Sequence, residues 1–492
     1  MSGEFFAGYP ECPADEAVAP DGRLRDPYRR LAPTLQRLGP FGLAYAAGRM
    51  AAERRDRGVT VSTWADGRQH VRPLPLDPIP RILPTAEWAT LADGVEQRHR
   101  ALNAFLAEAY RAAGRRRHDP DRAPQVVRAG VLPEWAVAHS PARDPDAVAQ
   151  AWPGQPRATV AGTDVVRSAD GSWLAVKDHL RVPAGLGYAL ANREDLQRGL
   201  PELFEDARPA DPRDAVPLLR AGLEAAAPRM LVGRPRIAIL SSGESDVAWF
   251  EHGLLADALG VPLVRAADLW PRIDGGVEVS VGGERLPVDV LYRRFDDGLL
   301  GGFRVPIGTP LGSLLTEAVR AGRLGLANVP GNGLADDAAA YAWVPAMIRF
   351  YLGEEPLLGS VPSWVLADEA QWAQVRDRLH ELVIQPVAGY GGRGVVHGPS
   401  CSAAELASLQ AEVGAAPYRF VAQEPVESST MPTLVEGVVR PRRVELRVFS
   451  VAGAAGATHA LPAPWTRVAM DADPGRASVD RDGATKDTWL TE

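Results

Sequence analysis

The chain reads as a mixed α/β and α+β protein, and three observations lead there. A strand–helix–strand pattern runs through residues 237–264. Two stretches alternate apolar and polar residues about a turn, as half-buried hairpins do. Gly and Pro, 48 and 43 of 492 residues, are spread along the chain, as many short loops require, and are not gathered into a low-complexity tract.

In chain order, residues 1–75 are rich in Pro, Arg and Gly and read as an irregular N-terminal segment with short helices. A helix is expected over about 94–113, because Leu102, Phe105, Leu106 and Ala109 recur on one face and Asp93 with Glu96 resembles a capping box. Arg115, Arg116 and Arg117 would close it, favoured by the helix dipole. A hairpin about Asp170–Gly171 follows within 160–182, and Glu205–Pro217 reads as a linker. Ile237–Leu240, Val247–Leu259 ending at Gly260, and Val261–Val264 form one unit of an open parallel sheet. Beyond about 331 the pattern turns to α+β, with Leu382–Val387 and Val395–Val396 flanking a glycine loop. Four segments are thus expected, 1–75, 76–215, 216–330 and 331–492.

Composition excludes several function classes. A net charge of −8 and a pI near 5.7 argue against a general nucleic-acid or membrane binder. Cys12 and Cys401 are the only cysteines, too few for a disulfide framework or a cysteine zinc site. The N-terminus lacks the pattern of a signal peptide and no apolar run is long enough to span a bilayer, so a cytoplasmic location is expected. Of 54 basic residues all but Lys177 and Lys486 are arginine. Where arginine serves for generic charge, each lysine raises a question.

Three motifs could carry chemistry. Gly389, Gly391, Gly392 and Gly394 lie in one six-residue loop after a strand, where backbone amides can approach phosphate oxygens, although a plain hairpin turn would look the same. Arg293 and Arg294 stand beside Asp296 and Asp297 at the carboxyl end of the strand Val288–Tyr292, as either an anion clamp or an ion-pair cluster. In Val444–Phe449, alternation puts Glu445 and Arg447 on one strand face. The histidines, His179 and His252 among them, have no metal-site spacing.

Taken together, these segments resemble the circularly permuted ATP-grasp family, type 2, from about residue 75 onward. The landmarks are RALNAFLAEAY (100–110), DHLRVPAGLGYALANR (178–193), WFEHGLLADALGVPLV (249–264), DVLYRRFDDGLL (289–300), ANVPGNGLADD (327–337), PAMIRFYLGEEPLL (345–358), QPVAGYGGRG (385–394), AQEPVESSTMPTL (422–434), VELR (444–447), WTRVAM (465–470) and TKDTW (485–489). The resemblance implies a circularly permuted ATP-grasp fold with a pre-ATP-grasp parallel-sheet domain. It also implies ATP and Mg²⁺ as cofactors, and activation of a small-molecule or peptide carboxylate as an acyl phosphate before an amine attacks. On it, the glycine loop, Gln423, Glu424 and Lys486 are the candidate nucleotide-binding residues, Asp178 and Glu445 the candidate metal residues, and Lys177, His179, Arg293, Arg294 and Arg447 the candidate catalytic ones, although positions 177 and 179 are where the family is expected to bind metal.

The sequence departs from that family where ATP chemistry is concentrated. Lys177-Asp178-His179 stands where the family has Glu-Asp-Asn, and Ala338 and Gln385 stand where it has lysines. Pro462–Trp465 and Val479–Ala484 replace glycine- and serine-rich runs. Arginine drift explains neither Ala338 nor Gln385, which keep no charge. Three functions follow as expectations: a ligase with an altered site; an ATP-independent enzyme using Lys177 or His179; and a non-catalytic pseudo-ligase that scaffolds a protein partner.

Overall fold

The computed structural model describes residues 6, 8–65, 68–114, 123–138, 140–152, 154–388, 394–470 and 483–492. At its centre lies a nine-stranded sheet. Its main path runs Gly359–Ser360, Trp173–His179, Val160–Arg167, Val438–Ala452, Trp465–Val468, Ala484–Thr491 and Leu76–Pro84. Both pairings at the ends of that path are parallel; the inner ones are antiparallel. Thr430–Val435 and Thr458–Ala460 pair with the two ends of the long strand Val438–Ala452. Strands distant in sequence thus become neighbours, as a permuted order requires.

Alternation along the strands sorts side chains between two layers. On one face Val165, Ala175, Leu446 and Val448 pack against Leu91 and Val95 of the long helix Thr85–Ala113. On the other, Phe449, Val451 and Trp465 share a core with Leu219, Ile237, Ile239, Val290 and Tyr292. That second core ties the central sheet to a four-stranded parallel sheet ordered Gly325–Ala327, Val290–Arg293, Ile237–Leu240 and Leu263–Val264. A third, antiparallel sheet of Ser363–Val365, Phe420–Gln423, Val383–Pro386 and Val396–His397 forms the small lobe. It joins the central sheet through the short passage from Gly359–Ser360 to Ser363–Val365.

Several elements differ from the sequence reading for identifiable reasons. The long helix starts at Thr85, directly after Pro84, so Asp93 and Glu96 lie in its interior and form no cap. Gly94 within it is a contact point, where a Cβ would come within 2.7 Å of Leu358 Cβ. Arg115–Arg117 lie outside the described residues. The expected linker carries a short helix, Phe204–Ala207, and leads into the helix Ala215–Ala225. The N-terminal segment is more regular than its composition suggests. It holds the helix Ala32–Asp56, kinked at Gly39–Pro40, and Glu16 of that segment pairs with Arg81 of the central sheet at 2.6–2.8 Å. The strand–helix–strand unit is present as Ile237–Leu240, Trp249–Leu259 and Leu263–Val264, with Gly260 ending the helix in the left-handed region.

Candidate functional site

The hairpin Val160–Arg167/Trp173–His179 carries the site, and its register decides which side chains meet. Asp164 lies opposite Lys177, and a bulge at Val176 shifts the register before Val165 pairs with Ala175. Lys177 and His179 therefore share the face of Asp164, whereas Asp178 points to the other side. Across the neighbouring strand Asp164 lies opposite Arg447, and Glu445 lies opposite Arg467 one strand further on. Four strands thus bring Asp164, Lys177, His179, Glu445, Arg447 and Arg467 onto one face.

Their hydrogen bonds form a closed network. Arg447 grips Asp164 with two bonds, Nε to Oδ1 at 2.6 Å and Nη2 to Oδ2 at 2.9 Å. Its third nitrogen, Nη1, donates to the Ala184 carbonyl at 2.8 Å. Arg467 Nη2 lies 2.8 Å from both Asp164 Oδ2 and Glu445 Oε2, bridging the two carboxylates. His179 Nε2 lies 2.8 Å from Asp164 Oδ2 and 2.9 Å from Arg447 Nη2. Burial opposes charge on Asp164, but Arg447, Arg467 and His179 outweigh it and hold its carboxyl well below the usual range. Burial, Arg447 and Lys177 push the His179 imidazole below its ordinary value, against the pull of Asp164. At neutral pH this ring is uncharged, so Nε2 either donates to Asp164 or accepts from Arg447. Lys177 differs from its neighbours: it is half-buried, and among the described residues no hydrogen bond or ion pair engages its ammonium.

The loop beside this face is held by residues of the parallel-sheet region. Asn328 Nδ2 and Asn332 Nδ2 donate to the Leu180 carbonyl at 2.8 and 2.9 Å, and Asp336 accepts from the Leu180 and Arg181 amides at 2.7 and 2.9 Å. Arg294 donates to the Pro183 carbonyl at 2.7 Å and to Glu251 at 3.1 Å, and Glu251 accepts from the Gly185 amide at 2.5 Å. Gly185 has φ of 125°, and a Cβ there would strike the Trp465 ring. Arg293 is fully buried against Asp297. Arg294 is buried as well, so the Arg293–Arg294 pair acts from behind the loop.

The remaining candidates are spread more widely. Asp178 is buried on the opposite face, where both oxygens meet Arg98 and one accepts from Thr163 Oγ1 at 3.1 Å. Lys486 shares the side of Thr466, opposite that of Arg467, and its ammonium is buried against Asp77 and the carbonyls of Ile79 and Pro432. Burial lowers its pKa, against the pull of Asp77. In the small lobe Gln423 Nε2 donates to Ser363 Oγ at 3.2 Å and reaches the bulge carbonyl of Val176 at 3.5 Å; Glu424 pairs with Arg378. Gly394 has φ of 76°, and Gly389, Gly391 and Gly392 lie outside the described residues. Ala338 packs beside the apolar cluster of Val365, Val387 and Val421. One central residue, Asp164, was not singled out from the sequence, and Arg467 was noted there only as part of the WTRVAM match. The available signal was an aspartate inside the apolar strand run 160–166, facing an arginine of the VELR motif.

These residues do not fit a magnesium ion. Mg²⁺ takes oxygen ligands, commonly one or two carboxylates plus water. Asp164 and Glu445 are already engaged by guanidinium groups, and Asp178 faces away. At about 4 Å and an effective dielectric near 20, each pair of unit charges interacts by about 4 kcal/mol, so Arg447, Arg467 and Lys177 would repel a dication strongly. Among the described residues no group of three His, Cys, Asp or Glu side chains could hold a metal ion.

A central sheet facing a small antiparallel lobe, with a cation-rich hairpin between them, defines an ATP-grasp-type architecture. The chain belongs to the circularly permuted ATP-grasp type 2 family, whose model matches residues 80–469. It is 42% identical over 486 residues to a Frankia casuarinae protein provisionally named glutamate–cysteine ligase 2-2, covering 97% of this chain and 53% of that protein. The chain thus spans about half the length of the first relatives it matches. An uncharacterized Mycobacterium tuberculosis protein is 36% identical over 481 residues, 97% of this chain and 83% of its own length. In fold, the chain is similar to a glutathione synthetase-like effector from Globodera pallida in apo form, with a TM-score of 0.58 at 12% identity over 92% of this chain and 98% of that one. No described helix is long and apolar enough to cross a membrane.

Proposed function

We propose that this chain is a carboxylate–amine ligase-like protein that receives a small-molecule or peptide carboxylate, an amine and a phosphate-bearing nucleotide between the central sheet and the small lobe. One observation carries the reading. The unpaired Lys177 lies next to Val176, the bulge residue whose carbonyl faces Gln423 of the small lobe, and Asp164 fixes Arg447 and Arg467 beside it. Positive groups set in advance at the junction of two lobes suit a reaction in which negative charge gathers on a transferring phosphoryl group and a carboxylate. When bound, the nucleotide supplies the phosphoryl group. Lys177 and Arg447 orient and stabilise anionic oxygens, and the Asn328, Asn332 and Arg294 contacts hold the loop in place. No step is assigned to magnesium, for which the residues offer no free ligands. The provisional ligase name of the Frankia relative agrees with amide-bond chemistry in general terms only.

The test is ADP release by the purified protein with ATP and panels of acids and amines. Release is expected only when acid and amine are both present, and Lys177→Ala should lower it by about a hundredfold, the usual scale for one transition-state contact. No ADP with any pair would leave the pseudo-ligase reading. That alternative is favoured by Ala338 and Gln385, which put an apolar and a neutral side chain where the family carries lysines.

A further inference from the structure

The mismatch with magnesium has a positive counterpart. Among the described residues of the hairpin face three cations, Lys177, Arg447 and Arg467, stand against two carboxylates, Asp164 and Glu445, so within this set one positive charge is in excess. Its location is identifiable. Arg447 and Arg467 bond to Asp164, and Arg467 also to Glu445, which leaves Lys177 as the unmatched group. An unpaired, half-buried ammonium beside fixed guanidiniums suits an oxyanion, and the same sum is wrong for a divalent cation. His179 Nε2 sits against Asp164 and Arg447 and leaves the Lys177 ammonium unengaged. Composition points the same way: the chain has two lysines, and the other is wholly consumed by buried contacts to Asp77, Ile79 and Pro432.

We infer that the hairpin face binds an oxyanion, a phosphate or a carboxylate, directly through Lys177 and without a divalent metal. The inference rests on the cleft being the ligand site, as proposed above. In it Lys177 occupies the place of a cation between ligand and protein, and Asp164 serves to aim Arg447 and Arg467 and ligates nothing.

Calorimetric titration with tripolyphosphate, and separately with N-acetylglycine, distinguishes the two oxyanion sources. Each titration is run in EDTA and then in excess Mg²⁺. Binding of at least one probe is expected in EDTA with no gain from Mg²⁺, and Lys177→Ala should weaken it by about tenfold or more, the scale of one charge-assisted contact. Lys177→Gln, which keeps the stem, should behave likewise, with circular dichroism confirming the fold of both variants. In Lys177→Glu/His179→Asn the excess charge reverses, so binding in EDTA should vanish and require Mg²⁺. Wild-type binding that appears only with Mg²⁺, binding indifferent to both Lys177 variants, or no heat with either probe overturns the inference. These outcomes separate from the ligase assay. Mg²⁺-dependent ADP release without binding in EDTA sinks the metal-free site and keeps the ligase; binding in EDTA without turnover does the reverse.

Discussion

At the scale of single residues, the site is decided by which face of a strand a charge occupies. Asp178 and Lys177 are adjacent, yet one is buried against Arg98 and the other has no hydrogen-bond or ion-pair partner among the described residues. Removing Asp178 leaves the buried Arg98 guanidinium uncompensated, a change that costs about 3–5 kcal/mol for buried pairs. Asp178→Ala is therefore expected to lower the urea midpoint sharply, whereas Lys177→Ala should leave it within about 0.5 kcal/mol of wild type. Equal losses from both would refute this assignment of faces. Much of this layer was legible in advance. Strict alternation places Glu445 and Arg447 together, and the resemblance singled out the 177–179 triplet. The bulge at Val176 was not legible, because no residue type marks it, and neither was the Asp164–Arg447 pairing, which depends on residues 283 positions apart meeting in register.

At the scale of elements, buried polar groups anchor short helices and loops. Asp337 caps the helix Ala338–Ala342, accepting from the Ala340 amide at 2.7 Å and from Ser140 Oγ at 2.8 Å. Burial pushes its carboxyl up to about 7, neighbouring Asp336 adds to the rise, and these two hydrogen bonds only partly oppose it. With Ala338 in the next position, no adjacent cation offsets the charge. The sign follows from linkage. A carboxyl raised in the fold contributes stability fully below its ordinary value near 3.8, and that contribution is lost as pH rises towards about 7. Asp337→Asn keeps the cap and removes the charge. It is expected to raise stability by about 1 kcal/mol at pH 8 and to change little at pH 3.5, as thermal melts at the two values would show. A loss confined to pH 8 would mean that the ionised cap is favourable. Element boundaries were less legible than element types. The Asp93–Glu96 pair imitates a helix start, but the constraint there is the close approach of Leu358 to Gly94, a contact from 264 residues away that no local pattern encodes.

At the scale of the whole molecule, the central sheet depends on strands from both halves of the sequence. Ala484–Thr491 lies between Trp465–Val468 and Leu76–Pro84, and Trp489 within it is wholly buried. Deleting 484–491 would expose both neighbours as unpaired edges and open the core around Trp489. The deleted chain is expected to lose cooperative unfolding by denaturant and to show little amide protection in the Leu76–Pro84 strand; a cooperative transition at the wild-type midpoint would contradict this. The family resemblance made the layered arrangement foreseeable, whereas the parallel pairing that closes it rests on long-range register.

That closing pair also fixes an order in time. Asp77 and Lys486, buried partners on adjacent strands, are separated by 409 positions in the sequence. At a synthesis rate of about 5–20 residues per second, roughly 20–80 s pass between the emergence of the first strand and of the second. For that interval Leu76–Pro84 presents an open β edge and Asp77 has no ammonium to meet it. The permuted gene order thus sets a waiting period during translation, in which an early strand must be kept from pairing with other chains.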